Sequence, residues 1–542
     1  MTTPKLERPM RPRRLHDLDK LARLTRDLPR FLRAPLSFDQ ALTTVRRRLA
    51  EREVRFLRIV ERAIYERPTS PYRQLLQLVG CELGDLRALT AAEGLEGALR
   101  ELAARGAYLS FDEFKGRSPV VRGSRTFHFR ESDFDNPFII PHIEAWSGGT
   151  RGPRTSVKMT LPYFADLAAS TAIAFRAHRL GNDEHAVWLQ GFTPGFIYAK
   201  LGRPTPAWFY PSEPLSPRLA LASWYIALLG RASGHPLPRP RLLAVQAPDR
   251  LVDWLAKRQR KGRVLCVTTY ASSAVRVCLR ARERRLTLEG VCFITLGEPF
   301  TEAKRQALDA VGARAIVRYA FTEAGIIGYA CGTPRASDDL HFLSDSYGLV
   351  QRPRAVGADG PVVDALLFTS LLPTAPKILL NVESGDYGRV ERRACGCAQG
   401  AAGLDVHLSE IRSFEKLSSE GMTFVQTDLL HILEEVLPAR FGGTGADYQV
   451  IEQEGEHGIG GLVLLASPAV GPIDEDRLRS PFLASLGGGH AVDRFGARIW
   501  ADAGTVQVKR DWPVPTGAGK ILPFHLLGTG PGRDSASPPR PR

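Results

Sequence analysis

With 542 residues, 44% hydrophobic and 24% charged, the chain has a globular make-up and exceeds the usual size of one hydrophobic core, so two or more domains are expected. No apolar run approaches the roughly 20 residues needed to span a bilayer, and the basic N-terminus lacks the apolar centre of a signal peptide, so no membrane span and a cytoplasmic location are expected. The net charge of +15 suits anionic ligands but comes without a nucleic-acid module, and seven scattered cysteines do not make a disulfide framework.

In chain order, Leu15, Leu18, Leu21, Leu24 and Leu28 recur at three and four, which predicts an amphipathic helix closed near Pro29. The stretch Leu86 to Ala104 repeats that pattern, with Leu95, Leu99 and Leu102 on one face, and ends at Gly106. A helical N-terminal extension over residues 1–110 is expected, its arginines forming a solvated basic face. Next comes Ser147-Gly148-Gly149-Thr150-Arg151-Gly152-Pro153-Arg154. Glycines let the backbone approach phosphate oxygens, hydroxyls and guanidinium groups add donors, and so this run reads either as a phosphate loop or as an ordinary turn.

From Val264 the texture changes. Val264 to Thr268, Val291 to Leu296 and Ala315 to Val317 are strand-like, with a helical pattern from Thr301 to Val311 between the last two. Strand, helix, strand predicts a parallel α/β sheet, whose ligands sit in loops at the carboxyl ends of the strands. After Glu410 a smaller unit is expected, with a helix from Asp428 to Leu437 and strands at Gln449 to Glu452, Leu462 to Ala466 and Thr505 to Lys509. The expected division is an α/β domain over 111–411, a small mobile α+β lid over 412–528, and a disordered tail over 529–542.

Five further segments carry chemistry: Gly297-Glu298-Pro299 after a strand, Tyr319-Ala320-Phe321-Thr322-Glu323, Gly385-Asp386, Arg412, and Pro515-Thr516-Gly517-Ala518-Gly519-Lys520. Each has an ordinary alternative: a strand-ending turn for Gly297, a helix cap for Thr322-Glu323, an Asx turn for Asp386, an exposed loop cation for Lys520. In their order and spacing these segments and the Ser147 loop resemble the adenylate-forming superfamily, in particular its phenylacetate-CoA ligase branch, over residues 70 to 525. The resemblance implies ATP-dependent activation of a carboxylic acid to an acyl adenylate, then transfer to coenzyme A. Alternatives are transfer to a carrier or acceptor protein thiol or an amine, and a nucleotide-binding interaction subunit without turnover.

By the same resemblance Ser147, Gly148, Gly149, Thr150 and Arg154 would bind phosphates, and Gly297, Glu298, Pro299 and Tyr319 would line the adenine side. Asp386 would hold the ribose hydroxyls, Thr322 would donate to the α-phosphate and Glu323 would hold Mg²⁺. Arg412 would be the hinge, and Lys520 would stabilise the adenylation transition state. The acid, aryl or fatty, would contact Trp188 to Phe196 and Tyr270 to Ser273. Three thiols and an imidazole, from Cys331, His341, Cys395 and Cys397, can close a tetrahedral zinc site, and the arrangement resembles that of zinc-carrying members of this branch; a structural Zn²⁺ is expected. The chain departs from the family pattern at Asn381 and Glu383, where many relatives have arginines, and at Phe414, where an acidic residue is common.

Overall fold

The strand-forming runs in the middle of the chain are buried along nearly their whole length, as a sheet covered on both faces requires. Leu265–Tyr270 is buried throughout and Cys292–Leu296 at four of its five positions. They lie in a twelve-stranded sheet whose order is Pro240–Leu242, Ala207–Tyr210, Glu184–Trp188, Leu265–Tyr270, Cys292–Leu296, Arg314–Phe321, Gly325–Ala330, Leu340–Phe342, Val406–Ser413, Val382–Arg392, Val362–Ser370 and Tyr347–Ala355. The first six are parallel. From Gly325–Ala330 to Val362–Ser370 neighbouring strands pair antiparallel, so the sheet is mixed and larger than the parallel core expected from the sequence. The structure is a computed structural model that describes residues 13–146, 156–181, 183–211, 216–244, 247–262, 265–355, 362–413, 418–419, 422–423, 429–454, 460–486, 506–515, 521 and 523–526. The Ser147–Arg154 loop, Lys520 with its preceding Thr/Gly run, and the tail 529–542 lie outside the described residues.

The sheet bends back on itself. Four strands separate Arg314–Phe321 from Val362–Ser370, which on a flat sheet would set them about 24 Å apart. Instead the rings of Phe321 and Phe368 have centroids 5.6 Å apart, and Tyr319 lies 6.2 Å from Phe368. This aromatic cluster brings the antiparallel half over the end of the parallel half. It is how Asp386, remote from Tyr319 in sheet order, comes within reach of its hydroxyl.

Helices Arg13–Arg33, Phe38–Ala50, Arg52–Val60, Pro71–Leu78 and Leu83–Arg105 build the N-terminal layer. The first runs through Pro29 rather than ending there, because Leu28 and Leu32 are both fully buried and their packing outweighs the roughly 3 kcal/mol a mid-helix proline costs. Leu83–Arg105 bends at Gly94 and ends at a left-handed Gly106. Arginines of this layer turn inward: Arg55 donates to the carbonyls of Leu371 and Asp345, and Arg52 to that of Ser344.

The described residues form two compact units, divided after Ser413. In the second, Tyr448–Glu454 and Gly460–Ala466 pair antiparallel and are flanked by the parallel Phe524–Leu526 and Val506–Arg510. Helix Glu475–Leu486 adds Leu478, Phe482 and Leu486 to a core with Leu433, Tyr448 and Leu464. The expected helix from Asp428 is three short pieces, Leu429–His431, a π turn Ile432–Val436 and Leu437–Phe441.

Candidate nucleotide site and metal centre

Register places the first constellation. Leu296 pairs with Arg318 across parallel strands, so Gly297 and Tyr319 leave neighbouring strands side by side at their carboxyl ends. Gly297 adopts φ 79°, a left-handed turn that releases the chain from the sheet. Glu298 accepts from the Ser272 amide at 2.9 Å and the Ser272 hydroxyl at 2.8 Å, so it caps the helix Ala271–Glu283. The Tyr319 hydroxyl donates to Asp386 Oδ2 at 2.7 Å and lies 3.3 Å from Ser384 Oγ. Burial and then the Asp386 carboxylate push the Tyr319 phenol well above its ordinary value, so it stays a donor.

Thr322 and Glu323 occupy the tight turn between Arg314–Phe321 and Gly325–Ala330. Two buried hydroxyls, Tyr163 and Tyr347, both donate to the carbonyl of Ala324 and fix that turn. Gly325 has φ 89°, and a Cβ there would fall 2.1 Å from Tyr163 Oη. Glu323 is buried and accepts from Lys115 Nζ. Lys115 had no signal in the sequence, being 208 positions from its partner.

Arg412 is the last residue but one of the strand Val406–Ser413, opposite Tyr387, and its Nη1 lies 3.3 Å from Asp338 Oδ2. That carboxylate also accepts from the Glu410 amide at 3.0 Å, where the backbone has φ 54°. The two departures at 381 and 383 have structural occupations. Asn381, with φ 49°, donates from its side chain to the carbonyls of Leu99 and Ala107. Glu383 is paired with Arg352 and Arg354. Of the acid-pocket candidates, Trp188 is buried with its indole donating to the Leu243 carbonyl, Phe196 stacks on Phe164 at 5.2 Å, and Ser272 is engaged by Glu298.

The second constellation is a cluster of thiols and imidazoles. Cys331 Sγ lies 3.7 Å from Cys395 Sγ, which is 3.3 Å from Cys397 Sγ; His341 Nε2 is 3.1 Å from Cys397 and 3.2 Å from Cys395. A zinc ion with bonds of 2.3 Å to sulfur and about 2.0 Å to nitrogen has ligand-to-ligand edges of about 3.5–3.8 Å, close to these values. His341 Nδ1 donates to the Leu404 carbonyl at 2.7 Å, which leaves the Nε2 lone pair facing the sulfurs. The Cys397 thiol is held well below its usual range, chiefly by the hydrogen bond from Cys331.

His407 joins this cluster, which the sequence reading missed. His341 and His407 are register partners with ring centroids 4.1 Å apart. The ligand atoms of Cys331, His341, Cys395 and His407 all lie within 4.8 Å of one another. His407 Nδ1 donates to Asp339 Oδ1 at 2.8 Å, while its buried Nε2 has no hydrogen-bond partner among the described residues. A carboxylate behind one ring nitrogen and an unsatisfied lone pair on the other is the orientation metal-binding histidines adopt. The sequence did carry a signal: a histidine ten positions beyond Cys397, in a strand.

No family model matches the chain, and no curated protein does. Among solved structures the chain is similar to ATP-bound MatB from Rhodopseudomonas palustris, with 12% identity over 80% of this chain and 75% of that one and a TM-score of 0.41. O-succinylbenzoate coenzyme A synthetase from Bacillus subtilis, in complex with ATP and magnesium, gives 12% identity, 70% and 69% coverage and a TM-score of 0.42. Amide bond synthetase McbA from Marinactinospora thermotolerans gives 13%, 89% and 98%, and 0.40.

Proposed function

We propose that the chain is an ATP-dependent acid ligase. An oxygen of the substrate carboxylate attacks the α-phosphorus of ATP, the bond to the bridging oxygen breaks, and acyl-AMP and pyrophosphate result. The thiol of coenzyme A then attacks the acyl carbon and AMP leaves. The observation that carries this reading is the approach of Tyr319 to Asp386 beside Gly297 and the Thr322-Glu323 turn, from segments that follow the superfamily's order.

Each residue has a physical task in that reaction. Asp386, oriented by Tyr319, offers its second oxygen to the ribose hydroxyls. Gly297 leaves room for a base to lie against the main chain. Thr322 donates to the α-phosphate, and Glu323 supplies a hard carboxylate oxygen of the kind Mg²⁺ selects. When bound, that cation would offset the charge of the phosphates as two anions are brought together. Ser147, Gly148, Gly149, Thr150 and Arg154 are assigned to the phosphates, Arg412 to the hinge and Lys520 to the adenylation transition state. At the ends of the Lys520 segment, Val514 is clasped by the Gln449 side chain through both its amide and its carbonyl, and Ile521 is buried. Zn²⁺ is assigned to Cys331, His341, Cys395 and Cys397 in a structural role, with His407 a fifth donor beside them, since four protein ligands fill a tetrahedral shell and leave no open position. The three thiols and the aimed imidazole fit that ion.

The test is pyrophosphate exchange into ATP against a panel of aryl and fatty acids. Lys520→Ala is expected to lower exchange by about 100-fold or more with the melting profile unchanged. Undiminished exchange removes the assignment of Lys520. ATP binding with no exchange across the panel would instead favour a subunit without turnover, and adenylation without thioester formation on added coenzyme A would point to a carrier thiol, protein thiol or amine as acceptor.

A further inference from the structure

Lys115 caps the C-terminal end of the short helix Phe111–Phe114, and its side chain is 7% exposed. Its ammonium sits between two carboxylates from different parts of the chain: it donates to Glu323 and lies 3.3 Å from Glu131 Oε1. The same Glu131 oxygen is 3.5 Å from Lys377 Nζ, which bonds Asp135 Oδ1 at 2.8 Å; Asp135 in turn meets Lys158 at 2.7 Å. The result is an alternating row of three anions and three cations, Glu323, Lys115, Glu131, Lys377, Asp135 and Lys158. Lys377 and Asp135 hold loops together: Lys377 also donates to the Glu131 carbonyl at 3.0 Å. Lys115 differs in that its carboxylate partner is the residue assigned above to the divalent cation.

We propose that Lys115 is a tethered cation that competes with the divalent metal for Glu323. This rests on the reading of Glu323 as a metal ligand. The Lys115 ammonium holds the Glu323 carboxylate in place before nucleotide arrives. An ammonium and a divalent ion within 3–4 Å of one oxygen repel strongly in a dry site, so one displaces the other. Divalent metal therefore enters together with the nucleotide, whose phosphates supply the additional negative charge that tips the exchange. Lys115 is thus a positioning residue that makes metal binding depend on nucleotide.

The experiment is Mn²⁺ binding to the nucleotide-free, zinc-replete protein, followed by electron paramagnetic resonance. Lys115→Met is expected to bind Mn²⁺ at least about 10-fold more tightly than the parent, and Lys115→Gln to do the same should the methionine variant fold poorly. Lys115→Arg, which keeps the charge, stays as weak as the parent, and adding Glu323→Gln to Lys115→Met abolishes the gain. Equal Mn²⁺ affinity in parent and neutral variants, or a gain that survives Glu323→Gln, overturns the proposal. These outcomes are separate from pyrophosphate exchange: the Mn²⁺ gain can hold where exchange is absent, in which case the ligase reading falls and the competition stands.

Discussion

Glu383 carries its charge into a place where its side chain is completely covered, between Arg352 and Arg354, which are each about 30% exposed. Burial pushes its carboxyl up, against the pull of Arg354 and Arg352. A carboxyl with a raised native value binds its proton more tightly folded than unfolded, so its contribution to stability falls as pH rises from the unfolded value of about 4.3 through the native one. Glu383→Gln removes that slope: the stability of the parent relative to the variant should decline across this window, measured by urea unfolding at stepped pH. A constant difference would mean that the arginines fully offset burial. From sequence, Asn381 and Glu383 stood out as departures from a family pattern, yet their reasons were illegible, since Leu99, Ala107 and Arg352 are brought to them by the fold. Lys115 was illegible for the same cause.

At the scale of elements, the turn from Thr322 to Gly325 is set by what surrounds it. Tyr163, from a helix, and Tyr347, from a strand, converge on one carbonyl, and the left-handed Gly325 lies against the Tyr163 hydroxyl. Gly325→Ala combines an unfavourable backbone conformation with a side-chain clash, and a loss of about 3 kcal/mol is expected in chemical denaturation. A loss below about 0.5 kcal/mol would show that the turn relaxes freely. Elements whose signal is local were readable: the helix Glu302–Asp309 opens at the Thr301 cap as its pattern suggested, and the strands Leu265–Tyr270 and Cys292–Leu296 fall where apolar runs do. The antiparallel half was not, because Gly325–Ala330 and Leu340–Phe342 are buried runs without alternation, and apolar content alone does not tell which sheet a strand joins.

For the molecule as a whole, the thiol–imidazole cluster joins distant parts of the large unit. Cys331 follows one strand, His341 and His407 lie on two neighbouring strands, and Cys395 and Cys397 belong to the connection between two strands. If zinc is held there, protein purified without added metal should contain about one equivalent, and chelation should lower the melting temperature by about 5 °C or more. Well under one equivalent in folded protein removes the zinc assignment. The cluster's four expected members were legible as residue types but not as neighbours; only the pairing of Leu340–Phe342 with Val406–Ser413 brings them together.

The short connection between Cys331 and His341 sets a constraint of another kind. Its two adjacent aspartates serve different masters: Asp338 faces Arg412 and the Glu410 amide, while Asp339 faces His407, Arg393 and the Arg335 amide. The Asp339 carbonyl also closes the connection onto the Cys331 amide at 2.9 Å. One inserted or deleted residue would hand each carboxylate the other's partners. Among descendants of this chain, that segment should therefore vary in letters but not in length, while the exposed turns around it are free to grow.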